Sequence, residues 1–229
     1  MNPAQQLYAL AALLLAYPDD AFVEQLPQVD HLAKRLPSRQ QARRLASFTH
    51  WALAVGPDRL RQDYTDTFDL RRATTLDLTY YEHGDTRDRG QALLALSGRY
   101  RLAGIEPGAG QLPDYLPALL AFAAQTDPSL GEAALRSCRP GLEVLRQALA
   151  SRHSRWAGPV KAVVQTLGPL SADERQRADQ LRAAGTPQEA VGGAQFDIAR
   201  AALPALAART VRSERLDRQP LRLVQGGVA

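Results

Sequence analysis

Glu82, His83 and Asp85 stand side by side in the segment from Tyr64 to Gly90, YTDTFDLRRATTLDLTYYEHGDTRDRG, two carboxylates flanking an imidazole that could in principle shuttle protons. Such a grouping more often fixes a loop by hydrogen bonding, and no companion motif speaks for catalysis. The chain has no GxSxG elbow, no HExxH, no GxxxxGK[ST] and no GxGxxG. The other histidines, His31, His50 and His153, lie far apart, and none shares helical i, i+4 spacing with another histidine or with cysteine, so no metal site is expected. Cys138, the sole cysteine, sits between Arg136 and Arg139, which would favour a thiolate, yet no histidine base is near it in sequence. A small residue at a helix end is the plainer role. A single cysteine also excludes an intramolecular disulfide and a thiolate cage, which fits a reducing compartment.

The same segment reads better as a recognition surface. Tyr64, Phe68, Tyr80 and Tyr81 are interleaved with Asp66, Asp69, Asp77, Glu82, Asp85 and Asp88, with Asp63 just ahead of them, and these acids outnumber Arg71, Arg72, Arg87 and Arg89. A net-acidic, aromatic stretch on a chain of net charge +4 points to an amphipathic, basic ligand. Each residue also has a structural role to play. Phe68 lies four residues after Tyr64 and suits a core-facing helix position. Tyr80 and Tyr81 are adjacent and cannot both face one core, which places at least one of them at a groove rim. Asp69, Asp85 and Asp114 suit caps or turn anchors, and Arg87 and Arg89 can pair with neighbouring carboxylates.

The elements that must position these residues are helical. Leu7, Leu10, Ala11, Leu14 and Leu15 form one stripe of a buried helix; it is too short to span a bilayer and lacks the preceding basic residues of a signal segment. Short helices are predicted over Asp20–Leu26 and Val29–Leu36, each closed by proline, then a longer one over Arg39–Val55 capped by Ser38. The stretch from Thr74 to Tyr81 is compatible with helix or extended loop. Asp85 is expected to cap the next helix, which passes Leu93, Leu96 and Tyr100. Pro113 is expected in the first turn of the helix bearing Leu116, Leu119, Leu120 and Ala123. Further helices are predicted at Ser129–Arg136, Gly141–Arg152 and Arg155–Leu167. Ser171 and Glu174 then form a capping box ahead of a largely polar helix.

Arg209, Arg212, Arg215, Arg218 and Arg222 concentrate the basic excess at the C-terminus and leave the remaining chain close to neutral, which argues against nucleic-acid binding by the body. The resulting expectation is an all-α single-domain bundle over residues 1–170. Residues 171–229 follow as a polar helix and a flexible, weakly structured basic tail.

The order Y-x3-FD, YYEHGDTRDRG, LPDYLP and SRWAGPV, after an N-terminal LLLAYPDD, resembles the NarJ-type chaperones, the delta subunits of respiratory nitrate reductases within the TorD-like group. The likeness covers most of residues 1–170, with Gln111, Tyr115 and Ala121 departing from the usual residues. It implies an all-helical, non-catalytic, cytoplasmic chaperone with no cofactor of its own and no stable membrane insertion. Such proteins bind the N-terminal peptide of the apo catalytic (alpha) subunit while the molybdenum cofactor is inserted. Residue and family readings meet in a client-peptide groove formed by Tyr64, Phe68, Asp69, Tyr80, Tyr81, Glu82, His83, Asp85, Arg87, Arg89, Asp114 and Tyr115. A helical regulatory or nucleic-acid-binding protein acting through the tail is the alternative. A hydrolase using Glu82, His83 and Asp85 is a third reading.

Overall fold

The computed structural model describes residues 1–107, 110–185 and 222–223. Among them the expected all-α architecture is realised by eleven α-helices. The described β pairing is limited to two-residue strands, β1 (Ile105–Glu106) and β2 (Arg222–Leu223), joined antiparallel, and one isolated antiparallel bridge between Asp77 and Tyr115. The predicted flexible tail, with Gly192 and Gly193, lies otherwise outside the described residues.

Helix α1 (Pro3–Leu15) begins at a capping box of Asn2 and Gln5 and packs against α7 (Leu116–Gln125) and α10 (Ala157–Thr166). Helix α7 is apolar on all sides, the pattern of a helix surrounded by others, and its Leu116, Leu119, Leu120 and Phe122 are fully buried. Pro117, rather than Pro113, occupies its first turn, where a missing amide costs nothing. Pro113 instead lies in the loop ahead of α7, and its carbonyl accepts the Tyr100 hydroxyl at 3.2 Å.

The break expected at Pro27 does not occur. Helix α2 runs unbroken over Asp20–Ala33 with Pro27 inside it. Phe22, Leu26, Val29 and Ala33 are buried on one stripe against α3 (Arg39–Val55), whereas Pro27 is on the exposed side, where water can satisfy the carbonyl it leaves unpaired. Packing of the apolar stripe outweighs the local cost of the proline.

The chain continues through α4 (Pro57–Tyr64) to a connecting segment, a one-turn α5 (Tyr80–His83) and α6 (Arg87–Leu102). Helices α8 (Pro128–Ser137), α9 (Arg139–Ser151) and α10 close the body. Helix α11 (Ala172–Ala184) starts at the predicted Ser171–Glu174 capping box and packs on α9. Its Glu174 also meets Arg136 at 3.3 Å.

Candidate functional site

The polar aromatic segment begins where α4 loosens into a π turn over Thr65–Asp69, with the Leu70 amide donating to the Thr65 carbonyl five residues back at 3.0 Å. Such wide turns recur at functional positions. This one sets Phe68 against Tyr64, ring centroids 4.9 Å apart, and both rings against Trp156 at 5.3 and 5.2 Å. Tyr17 meets Tyr64 edge-on at 5.4 Å, and the Trp156 indole N–H donates to Asp63 at 2.7 Å. The Tyr64 hydroxyl donates to the Leu15 carbonyl at 3.3 Å and lies 3.0 Å from the hydroxyl of Tyr115.

Both structures allowed for Thr74–Tyr81 are present. A 3-10 turn (Arg72–Thr74) is followed by extended chain, in which Asp77 bridges to Tyr115, and then by α5. On either side of that bridge the Leu78 amide donates to the Asp114 carbonyl at 3.2 Å and the Leu116 amide to the Leu76 carbonyl at 2.9 Å. The bridge thus ties the acidic segment to the LPDYLP loop. A close approach fixes its depth: a Cβ on Gly141 of α9 would lie 2.3 Å from the Leu78 carbonyl oxygen.

A charge cluster lies beside this bridge. Asp114 is wholly buried and accepts from the Thr79 amide at 3.0 Å and the Thr79 hydroxyl at 2.5 Å. Arg89 of α6, 14% exposed, reaches Asp77 at 3.6 Å, Asp85 at 3.4 Å and Asp114 at 3.7 Å, with its guanidinium 5.7 Å from the Tyr80 ring centroid. These separations exceed those of tight charge-assisted hydrogen bonds. One guanidinium faces three carboxylates, and the imbalance is felt: burial, followed by the charge of Asp114, raises the pKa of Asp77. An Arg89 nitrogen (Nη2) and Asp114 Oδ1 are buried without a hydrogen-bond partner among the described residues.

The twelve predicted positions therefore divide. Tyr64, Phe68 and Tyr115 join the aromatic cluster, while Tyr80, Asp85, Arg89 and Asp114 join the charge cluster, and the Asp77–Tyr115 bridge connects the two. Asp69, Asp85 and Arg87 are exposed; Glu82 and His83 are half-buried, with Glu82 3.9 Å from Arg177 of α11.

The expected tyrosine at a rim is not found: Tyr64, Tyr80 and Tyr81 are 3%, 7% and 3% exposed. Tyr81 turns inward to donate to the Ala73 and Thr75 carbonyls at 3.2 and 3.0 Å, and burial drives its pKa upward. Tyr80 points elsewhere but is covered by Arg89 and by Arg72, which donates to its hydroxyl at 3.2 Å. Adjacent side chains can both be buried because the segment itself folds over the second of them. Nor does Asp85 cap α6. Thr86 is the N-cap residue, and its hydroxyl donates to the His83 carbonyl at 2.8 Å, while Asp85 pairs with Arg89 one turn on.

Sequence reasoning passed over Asp77 and Thr79 as site residues. Asp77 carried a signal, being one more carboxylate in the acidic run. Thr79 carried none, since its role depends on Asp114, which is distant in sequence.

Catalytic chemistry gains no support from this arrangement. No described hydrogen bond or ion pair joins Glu82, His83 and Asp85 to one another. Burial pushes the Cys138 thiol up to about 12, so it is protonated near neutrality. Among the described residues no group of three or more His, Cys, Asp or Glu could hold a metal, and no helix is long and apolar enough to cross a membrane.

Comparison with known proteins places these features in a lineage. Residues 32–162 match the family model of the nitrate reductase delta subunit. The chain is 34% identical over 169 residues to the nitrate reductase-like protein NarX of Mycobacterium tuberculosis, covering 70% of this chain and 24% of that protein. It is 29% identical over 176 residues to the probable nitrate reductase molybdenum cofactor assembly chaperone NarJ of Bacillus subtilis, covering 76% of this chain and 96% of the relative. Against the nitrate reductase molybdenum cofactor assembly chaperone NarJ of Escherichia coli it is 33% identical over 151 residues, 65% of this chain and 64% of the relative. The matched region thus spans about a quarter of NarX but nearly all of the Bacillus relative.

Proposed function

The chain belongs to the nitrate reductase delta subunit family, and from that premise we propose that it is a system-specific, non-catalytic chaperone of a respiratory nitrate reductase. In this reading it binds the N-terminal region of the apo catalytic subunit in the cytoplasm and holds it while the molybdenum cofactor is inserted and the complex assembled. Residues 1–170 form the working unit, and residues 171–229 are an extension of it.

The observation that carries the reading is the surplus of carboxylate around Arg89, set on a segment locked to the LPDYLP loop. A basic, amphipathic client helix can supply the missing positive charge there, with Asp69, Asp85 and the half-buried Glu82 as its first polar contacts and its apolar face against Tyr115 and neighbouring side chains. The buried tyrosines then support the groove from beneath rather than line it. Their rings and hydroxyl bonds fix the backbone that presents the acids, which reduces the ordering cost of binding.

Calorimetric titration of the client's N-terminal peptide tests this. Affinity is expected to fall with added salt and to fall further in Asp69→Asn/Asp85→Asn. Salt-independent binding that the double substitution leaves unchanged would remove the electrostatic basis of the proposal.

A further inference from the structure

A charged concavity of the opposite sign lies outside this site. One stripe of α3, carrying Gln40, Arg43, Arg44 and Ser47 at successive helical spacing, faces the start of α10 and the loop before it across an open groove of about 690 Å³. Arg155 and Lys161 add to its cationic lining, Phe48 supplies an apolar wall, and among the described residues no carboxylate borders it. Among the described residues none of Arg43, Arg44, Arg155 and Lys161 forms an ion pair, in contrast to Arg61, Arg89, Arg136 and Arg146, which meet Asp or Glu.

The walls are held by contacts that leave the cations out. Gln165 donates to Gln40 at 2.7 Å and Gln41 to Thr166 at 2.7 Å, clamping α3 to α10. Gly158 allows the approach, since a Cβ there would lie 3.2 Å from the Arg44 carbonyl oxygen. The entering loop turns through His153, the one described non-glycine residue with positive φ, at 54°. The first amides of α10 are already satisfied: Ala157 donates to the Ser154 carbonyl at 3.2 Å and Gly158 to the Arg155 carbonyl at 3.1 Å. Any anion here is therefore held by side chains rather than by the helix terminus.

We propose that this groove binds a small phosphate-bearing ligand of about the size of a nucleoside diphosphate. Its volume falls within the ordinary range of small-molecule sites. The α3 stripe from Gln40 to Ser47 is about 10 Å long, which suits a diphosphate and one ring system better than an extended polypeptide. Arginine forks and a lysine match phosphate oxygens, and the hydroxyls of Ser47 and Ser154 add neutral donors. The site is independent of the client-peptide reading and is tested separately from it.

The full chain is titrated by calorimetry with inorganic pyrophosphate, ADP and hexaglutamate as probes. The phosphate probes are expected to bind saturably, and Arg44→Gln/Lys161→Gln to weaken them about tenfold or more. Arg101→Gln/Arg175→Gln, which removes the same charge elsewhere, is expected to change affinity less than about twofold. Ser47→Asp, which places an acid in the groove while keeping every cation, is expected to weaken binding as well. Absence of saturable phosphate binding at millimolar probe, or equal weakening by the two double substitutions, overturns the proposal. Tighter binding of hexaglutamate than of either phosphate probe overturns it in favour of an acidic polypeptide.

Discussion

Replacing Asp114 by alanine removes the only described acceptor of two buried donors, the Thr79 amide and hydroxyl, at 3.0 and 2.5 Å from its Oδ2. A buried donor left without a partner costs about 1–3 kcal/mol, so Asp114→Ala is expected to lose about 2–6 kcal/mol of stability. Asp114→Asn separates hydrogen bonding from charge. Its amide oxygen can still accept from Thr79, and the Arg89 contact it gives up is a loose one of 3.7 Å. A loss of about 1–2 kcal/mol is expected there. Urea unfolding followed through Trp51 and Trp156 measures both, and Thr79→Val completes a double-mutant cycle with an expected coupling of about 1 kcal/mol or more. The reasoning is refuted if alanine costs less than about 1 kcal/mol, or if asparagine costs as much as alanine, since charge pairing with Arg89 would then be the dominant contribution.

Gly141→Ala drives a methyl group into the Leu78 carbonyl and is expected to cost about 1–3 kcal/mol, with client-peptide affinity falling as well, measured by unfolding and titration. Asp77→Asn is expected to raise thermal stability near neutral pH. Because the folded-state pKa of Asp77 lies above its ordinary value of 3.8, ionisation opposes folding, and the gain should fade as the pH falls toward that value. Cys138 is expected to resist alkylation at neutral pH in the folded protein and to react once the chain is unfolded in denaturant, as mass spectrometry of the adduct would show; rapid labelling of the native state would contradict a protonated, buried thiol.

The helical architecture was legible because it rests on local signals. The stripe in Leu7–Leu15 and the Ser38 and Ser171 caps each act within a few residues of themselves. Pro27 was misread because its cost is local while the compensation, the burial of Phe22, Leu26 and Val29 against α3, comes from elsewhere in the fold. The candidate site shows the same division. Its composition was visible as an acidic, aromatic run, but its geometry depends on pairings such as Thr79 with Asp114 and Tyr64 with Tyr115, to which no sequence period points. Period alone puts at least one of Tyr80 and Tyr81 at a rim, because it cannot show that a segment folds back over its own side chains.

That division bears on what the acidic segment is for. A loop that only had to be held in place would be served by the backbone bridge at Asp77 and Tyr115, the Tyr81 hydroxyl bonds and the close contact at Gly141, none of which needs a charge. Asp77 adds to this frame a carboxylate whose ionisation is opposed by burial and by Asp114, with one loosely placed guanidinium to offset three acids. Folding alone gains nothing from that surplus, whereas a cationic partner does, since each positive group brought into a partly desolvated acidic cluster is attracted more strongly than at an open surface. The two effects of Asp77→Asn should therefore have opposite signs, a more stable protein and a weaker grip on a basic peptide. A substitution that stabilised the fold and left peptide affinity untouched would mean that the surplus charge belongs to neither.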